Sequence, residues 1–136
     1  MSGGTWRSSA PAAEAAIVRL RDEAPLRLPA DYLAYLAGTN GGEGDLGVEP
    51  GWIQLWSADE VLAHNEGYRV RQSLPGCFAF ASNGGGELIV FDARGAEPYP
   101  VLMVPFIPME IESAVRIAGS FSELQHHLGV PSDETA

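Results

Sequence analysis

Apolar positions in the first third of the chain recur at helical spacing. Ala13, Ile17, Leu20 and Ala24 fall on one face, and Pro25 closes that segment because its ring cannot continue a helix. A second, shorter helix is predicted to start near Pro29, whose missing N–H would be unpaired in a first turn anyway. Asp31 puts a carboxylate in that positive first turn, and Tyr32, Leu33 and Leu36 repeat at helical intervals. Gly38 and the run Asn40-Gly41-Gly42 tolerate positive φ and so end the helix. Farther on, Cys77-Phe78-Ala79-Phe80-Ala81 and Glu87-Leu88-Ile89-Val90-Phe91-Asp92 are β-rich runs joined through Ser82 to Gly86, which predicts a hairpin. Leu88 to Phe91 shows no polar alternation, as expected of a strand covered on both faces, whereas Trp52-Ile53-Gln54-Leu55-Trp56 is more mixed. Ser57 with Glu60 and Ser120 with Glu123 have the spacing at which hydroxyl and carboxylate satisfy opposite N–H groups at a helix start. The last helix is bracketed, since Phe121, Leu124 and Leu128 form its stripe, Gly129 can take the left-handed exit, and Pro131 blocks continuation.

The order of these elements resembles the SUKH superfamily, which includes the Knr-type fungal cell-wall regulators and many bacterial immunity proteins. The resemblance is carried by Leu28-Pro29-x-x-Tyr32 with a helix ending at Asn40-Gly41-Gly42, then the strand Trp52 to Trp56. It continues through a Ser57-x-x-Glu60 helix carrying Asn65, the Gly-rich hairpin Phe78 to Asp92, the strand Val101 to Phe106, and Ser120-Phe121-x-x-Leu124. It covers roughly Glu14 to Leu128; no single motif is specific, but their order is. Pro29, Tyr32, Gly42, Gly86 and Phe121 are read as structural positions that locate the fold and not the contact surface. The expected fold is α+β, a single SUKH-like domain with a mixed, largely antiparallel sheet packed by an N-terminal helix pair, a middle helix and a C-terminal helix.

Length agrees with one compact domain: 136 residues suffice for one core. The expected organisation is a flexible N-terminus over 1–11, the domain over 12–129 and a tail over 130–136. The longest apolar stretch, Val101 to Met109, is broken by Pro105 and Pro108 and is well short of the ~20 residues of a spanning helix. Cys77 is the only cysteine, and Met1 to Pro11 has no apolar core of signal-peptide length, so the cytoplasm is the expected compartment.

Charge is the second strong signal. The net charge is −10, and between Arg27 and Arg69 lie Asp31, Glu43, Asp45, Glu49, Asp59, Glu60 and Glu66 with no Lys or Arg. Such a distribution opposes nucleic-acid binding, which depends on neutralising phosphates, and favours attraction to a cationic surface. Net negative charge also serves plain solubility, so the partner inference rests on the clustering together with the family.

Several chemical readings fail on spacing. A phosphate loop needs a helix after its glycines, and a strand follows Asn83-Gly84-Gly85-Gly86. His126 and His127 are adjacent, so on a helix they diverge by about 100° and cannot grip one metal. His64 stands four residues after Glu60 without an identifiable nucleophile, and Cys77 has no activating base nearby in sequence. No catalytic residue, cofactor or metal is expected, and the protein is not expected to be an enzyme.

The resemblance implies an immunity protein, a cytoplasmic inhibitor that binds a cognate toxin domain, often a nuclease. The alternative is a regulatory scaffold holding a harmless cellular protein, as in fungal members. Candidate partner contacts are Glu43, Asp45 and Glu49 in the Gly-rich loop after the second helix, Asp59 and Glu66 farther along, and the aromatic anchors Trp52 and Tyr68. Trp52 and Trp56 share one side of a strand, as core or as half of a binding surface.

Overall fold

A computed structural model describes residues 4–131; the last five residues of the expected tail, and the first three of the chain, lie outside it. The chain runs β1 (Trp6–Arg7), α1 (Glu14–Glu23), α2 (Ala30–Gly38), β2 (Gly42–Asp45), β3 (Trp52–Leu55), α3 (Val61–Gly67), α4 (Val70–Ser73), β4 (Cys77–Ser82), β5 (Glu87–Asp92), β6 (Val101–Pro105), a 3₁₀ turn (Ile111–Ser113), β7 (Val115–Ala118) and α5 (Phe121–Gln125). The strands form one sheet in the order of the sequence, β1 to β7, and every pairing is antiparallel. The α+β expectation therefore holds, with a sheet that is antiparallel throughout instead of mixed. Trp6–Arg7, inside the stretch expected as a flexible start, pairs with Gly44 and Glu43 as the sheet's first strand.

One side of the sheet carries the aromatic core. Tyr32 of α2 stands edge-on to Phe80, Phe91 and Phe121 at centroid distances of 5.4, 5.3 and 5.4 Å, while Phe80 and Phe91 stack at 4.1 Å. Such pairs each add about 0.5–1.5 kcal/mol beyond the area they bury. α1 packs on α2, and α2 on α5, so the three helices cover this side together. The Tyr32 hydroxyl is fully buried and meets no hydrogen-bond partner among the described residues. Burial alone drives its ionisation far above the ordinary phenol range.

α3 and α4 pack on β4, with Val61, Val70 and Leu74 fully buried. The middle helix ends at Gly67, close to its expected end; Arg69 takes the left-handed conformation at φ 56°, and a short α4 that the sequence reading did not include follows. The expected Ser57/Glu60 capping box does not form. Asn40, eighteen residues earlier, accepts the Ala58 N–H at 2.7 Å and donates to Asp59 at 3.2 Å, which holds the turn leading into α3, while α3 itself starts without a side-chain cap. The box at the last helix does form: Ser120 Oγ accepts the Glu123 N–H, and Glu123 reaches back to the Gly119 N–H, one residue beyond the usual target.

The Asn40-Gly41-Gly42 exit is demanded by space as well as by φ. At Gly41 (φ 105°) a Cβ would stand 2.7 Å from the Leu55 carbonyl oxygen, and at Gly42 (φ 117°) 3.0 Å from the Trp6 ring and the Arg7 oxygen. These contacts let β2 lie tight between β1 and β3.

β3 leaves β4 after the Trp56 N–H donates to the Phe80 oxygen. The next outward-facing groups of β4 belong to Ala79, beside a register shift between Ala79 and Ala81. The Asn65 side chain of α3 takes both: its Oδ1 accepts the Ala79 N–H at 2.8 Å, and its Nδ2 donates to the Ala79 oxygen at 2.7 Å and to the Val61 oxygen at 2.9 Å. One amide thus stands in for a missing strand.

Two stability measurements test this account. Asn65→Ala leaves two buried main-chain groups without that partner and should cost about 3 kcal/mol in urea unfolding. Tyr32→Phe removes an unpaired hydroxyl and should be neutral or stabilising by about 1 kcal/mol; a comparable loss would mean that the hydroxyl is bonded.

Candidate partner-binding surface

Strand register decides which side chains share a face. Gly42 and Gly44 oppose Leu55 and Ile53 on the core side, so Glu43 and Asp45 lie on the other side, opposite Gln54 and Trp52. Arg7 opposes Glu43 from β1 and lies 3.6 Å from its carboxylate, and Gln54 donates to the same carboxylate at 3.3 Å. Glu43 and Asp45 are therefore strand residues, not members of a loop as the glycines around them implied. Asp45 has a structural task, since its Oδ2 accepts the Thr5 N–H at 2.7 Å and so holds the start of the chain. Glu49 is exposed in the turn between β2 and β3. Glu60, read from the sequence only as half of a cap, joins Glu43, Gln54 and Asn40 around a shallow groove of about 360 Å³ that also touches Arg7.

The two tryptophans divide. Trp56 is buried, with its ring 4.4 Å from His64 and 6.1 Å from Tyr68, whereas Trp52 is half-buried beside Gly84 of the β4–β5 hairpin. Tyr68 contacts Phe106 at 5.0 Å and is 42% exposed, and Ile107, next in the chain, is 91% exposed. The Phe106 N–H donates to the Gly86 oxygen at 2.9 Å, which ties this segment to the hairpin. Trp52 and Tyr68, named from the sequence separately, thus border one surface; Phe106 and Ile107 complete it. Their segment reads in the sequence as a proline-broken apolar run, and that break was the signal of an exposed turn.

Glu66 lies away from the groove beside Glu43, and Asp59 touches its margin only through Asn40. They line a separate cleft of about 400 Å³ between α1, α3 and α4, with Arg19, Glu23, Arg71 and Cys77. Burial, with the Asp92 carboxylate nearby, pushes the Cys77 thiol up to about 11, which keeps it protonated and unreactive at neutral pH. Asp92 is itself held below the usual carboxylate range by Arg94, which donates to both its oxygens at 2.8 Å.

Among the described residues no group of His, Cys, Asp and Glu is placed to hold a metal ion, and no helix is long and apolar enough to cross a membrane. What the surface offers is carboxylates beside exposed aromatic and aliphatic side chains on a rigid sheet, the makings of a protein-binding face.

A comparison with curated proteins finds no match. The sequence model of the SMI1 / KNR4 family (SUKH-1) matches residues 11–125, which spans both helical layers and all but the first strand of the sheet. The chain belongs to the SMI1 / KNR4 family (SUKH-1).

Proposed function

We propose that this chain is an immunity-type protein that binds and neutralises a cationic toxin domain, acting by occlusion and not by catalysis. The observation that carries the reading is the face of β2 and β3, where Glu43 and Glu60 flank a groove and Trp52 stands half-exposed, on a chain of net charge −10. A nuclease domain is the favoured partner class, because a cleft built to hold phosphate is cationic and carboxylates on a rigid support can occupy it. The cytoplasm is the proposed site of action, where such a toxin would meet its target. The protonated, unreactive Cys77 thiol and the packing of His64 against Trp56 and Tyr68 support a binding protein.

The test is to tag the protein in its native host, recover it at low ionic strength and identify what co-purifies. A stoichiometric partner that is released by salt, and that kills cells when expressed without this chain, is the expected result. With that partner purified, changing Glu43, Glu49 and Glu60 together to Ser should slow association about tenfold at low salt, and the difference should shrink as salt screens it. Asp45 is left in place because it holds the first strand. A partner harmless on its own would replace this reading with that of a regulatory scaffold.

A further inference from the structure

We infer that a cationic protein partner seats on the bare tip of the β4–β5 hairpin and on the apolar ridge beside it, with Ile107 as the anchor. This rests on the protein-binding reading above and names the surface that serves it. Three glycines make the tip, and the fold needs only one of them. Gly84 has φ 76°, which side-chain-bearing residues rarely adopt. Gly85 and Gly86 lie outside the positive-φ region; a Cβ on Gly86 would meet nothing within 4 Å, and one on Gly85 only the side chain of nearby Asn83. All three are exposed, so their missing side chains leave the main chain open to close approach from outside.

The tip is also fixed. Asn83 Oδ1 accepts the N–H groups of Gly85 and Glu87 at 2.9 and 3.0 Å, its Nδ2 donates to the Glu87 carboxylate at 2.6 Å, and Gly86 holds Phe106. A bare but ordered main chain loses little entropy on binding. Trp52 borders it on one side and Phe106 on the other, with Tyr68 against Phe106. Pro105 and Pro108 restrict the backbone around Ile107, whose side chain is 91% exposed. Of four exposed large apolar residues among those described, Tyr68 and Ile107 fall here, and Val115 and Val130 lie elsewhere in the chain.

Charge selects the occupant. The Trp52 flank carries Asp45 directly opposite and Glu43 beyond it, and Glu110 follows Ile107 by three residues. Arg69 and Arg71 follow Tyr68 in the chain, with Arg71 in the cleft of Asp59 and Glu66, so the carboxylates nearest the Trp52 flank are those of β2. A second copy of this chain would set these acids against its own charge of −10, whereas a basic partner with an apolar socket meets both features.

The probe is the salt-released partner, identified by mass spectrometry and purified, titrated calorimetrically against variants whose fold is checked by circular dichroism. Gly86→Leu, which fills open space, and Ile107→Ser, which removes an exposed anchor, should each weaken binding by about 30-fold. Val115→Ser, which also trims an exposed apolar side chain but on β7, should stay within about twofold. Wild-type affinity for both ridge variants, with association still slowed by the loss of Glu43, Glu49 and Glu60, would overturn this surface and leave the proposed function standing. Wild-type protein that retains no cationic partner would overturn both. Ridge variants that convert a wild-type dimer to monomer in sedimentation would identify a second copy as the occupant and overturn the cationic one.

Discussion

The architecture turns on one requirement: a strand that parts from its neighbour inside a protein must find other partners for its main chain. β3 parts from β4 after Trp56, and the amide of Asn65 supplies what a further residue of β3 would have supplied. Asn65 sits on α3, so meeting that requirement fixes where α3 lies against the sheet. The position of α3 then fixes the ring of His64 against Trp56 and brings Tyr68 to Phe106. A hydrogen-bonding constraint inside the domain therefore sets the composition of the exposed ridge. Asn40 holds the turn that leads into the same helix, which couples the exit of α2 to the approach to α3.

The other end of the sheet is governed by close approach. Trp6 lies over Gly42 and Gly44, and Gly129 comes against its Cβ. Any side chain at Gly44 would run into the Thr5 oxygen and the Trp6 ring. The carboxylate of Asp45 fastens the same strand through the Thr5 N–H. An acid that looks available to a partner is thus already committed, while Glu43 on the same strand makes only long contacts, with the exposed Arg7 and Gln54 side chains.

Much of the fold was legible because its signals are local. The α1 stripe, the start of the final helix and the glycine hairpin each need no more than a dozen residues to declare themselves, whereas the final helix stops at Gln125 and Leu128, expected on its stripe, bridges to Leu46 instead. The shorter strands were not: β1 is two residues long, and β2, Gly-Glu-Gly-Asp, contains no apolar side chain and reads as a loop. The approach to α3 was misread as a capping box because the hydrogen bond that holds it joins residues eighteen apart. The candidate site suffered in the same way. Glu43, Asp45 and Trp52 were rightly suspected as neighbours, but which face they share depends on pairing, which a single sequence does not display. Asp59 and Glu66 were grouped with them by charge, and the fold sets both in another cleft, with Asp59 linked to the first groove only through Asn40. Gly86, read as structural, is the one glycine of that reading whose place the fold leaves unexplained.

The strand order has a further consequence. Because each strand lies beside its neighbours in the chain, a connection between strands can lengthen, shorten or change composition without forcing distant segments to re-register. The β2–β3 turn, the β4–β5 tip and the segment after β6 are all such connections, and they carry Glu49, the bare glycines and Ile107. A family built on this meander is able to redraw its outward face connection by connection while Tyr32, Phe80, Phe91 and Phe121 stay locked beneath it.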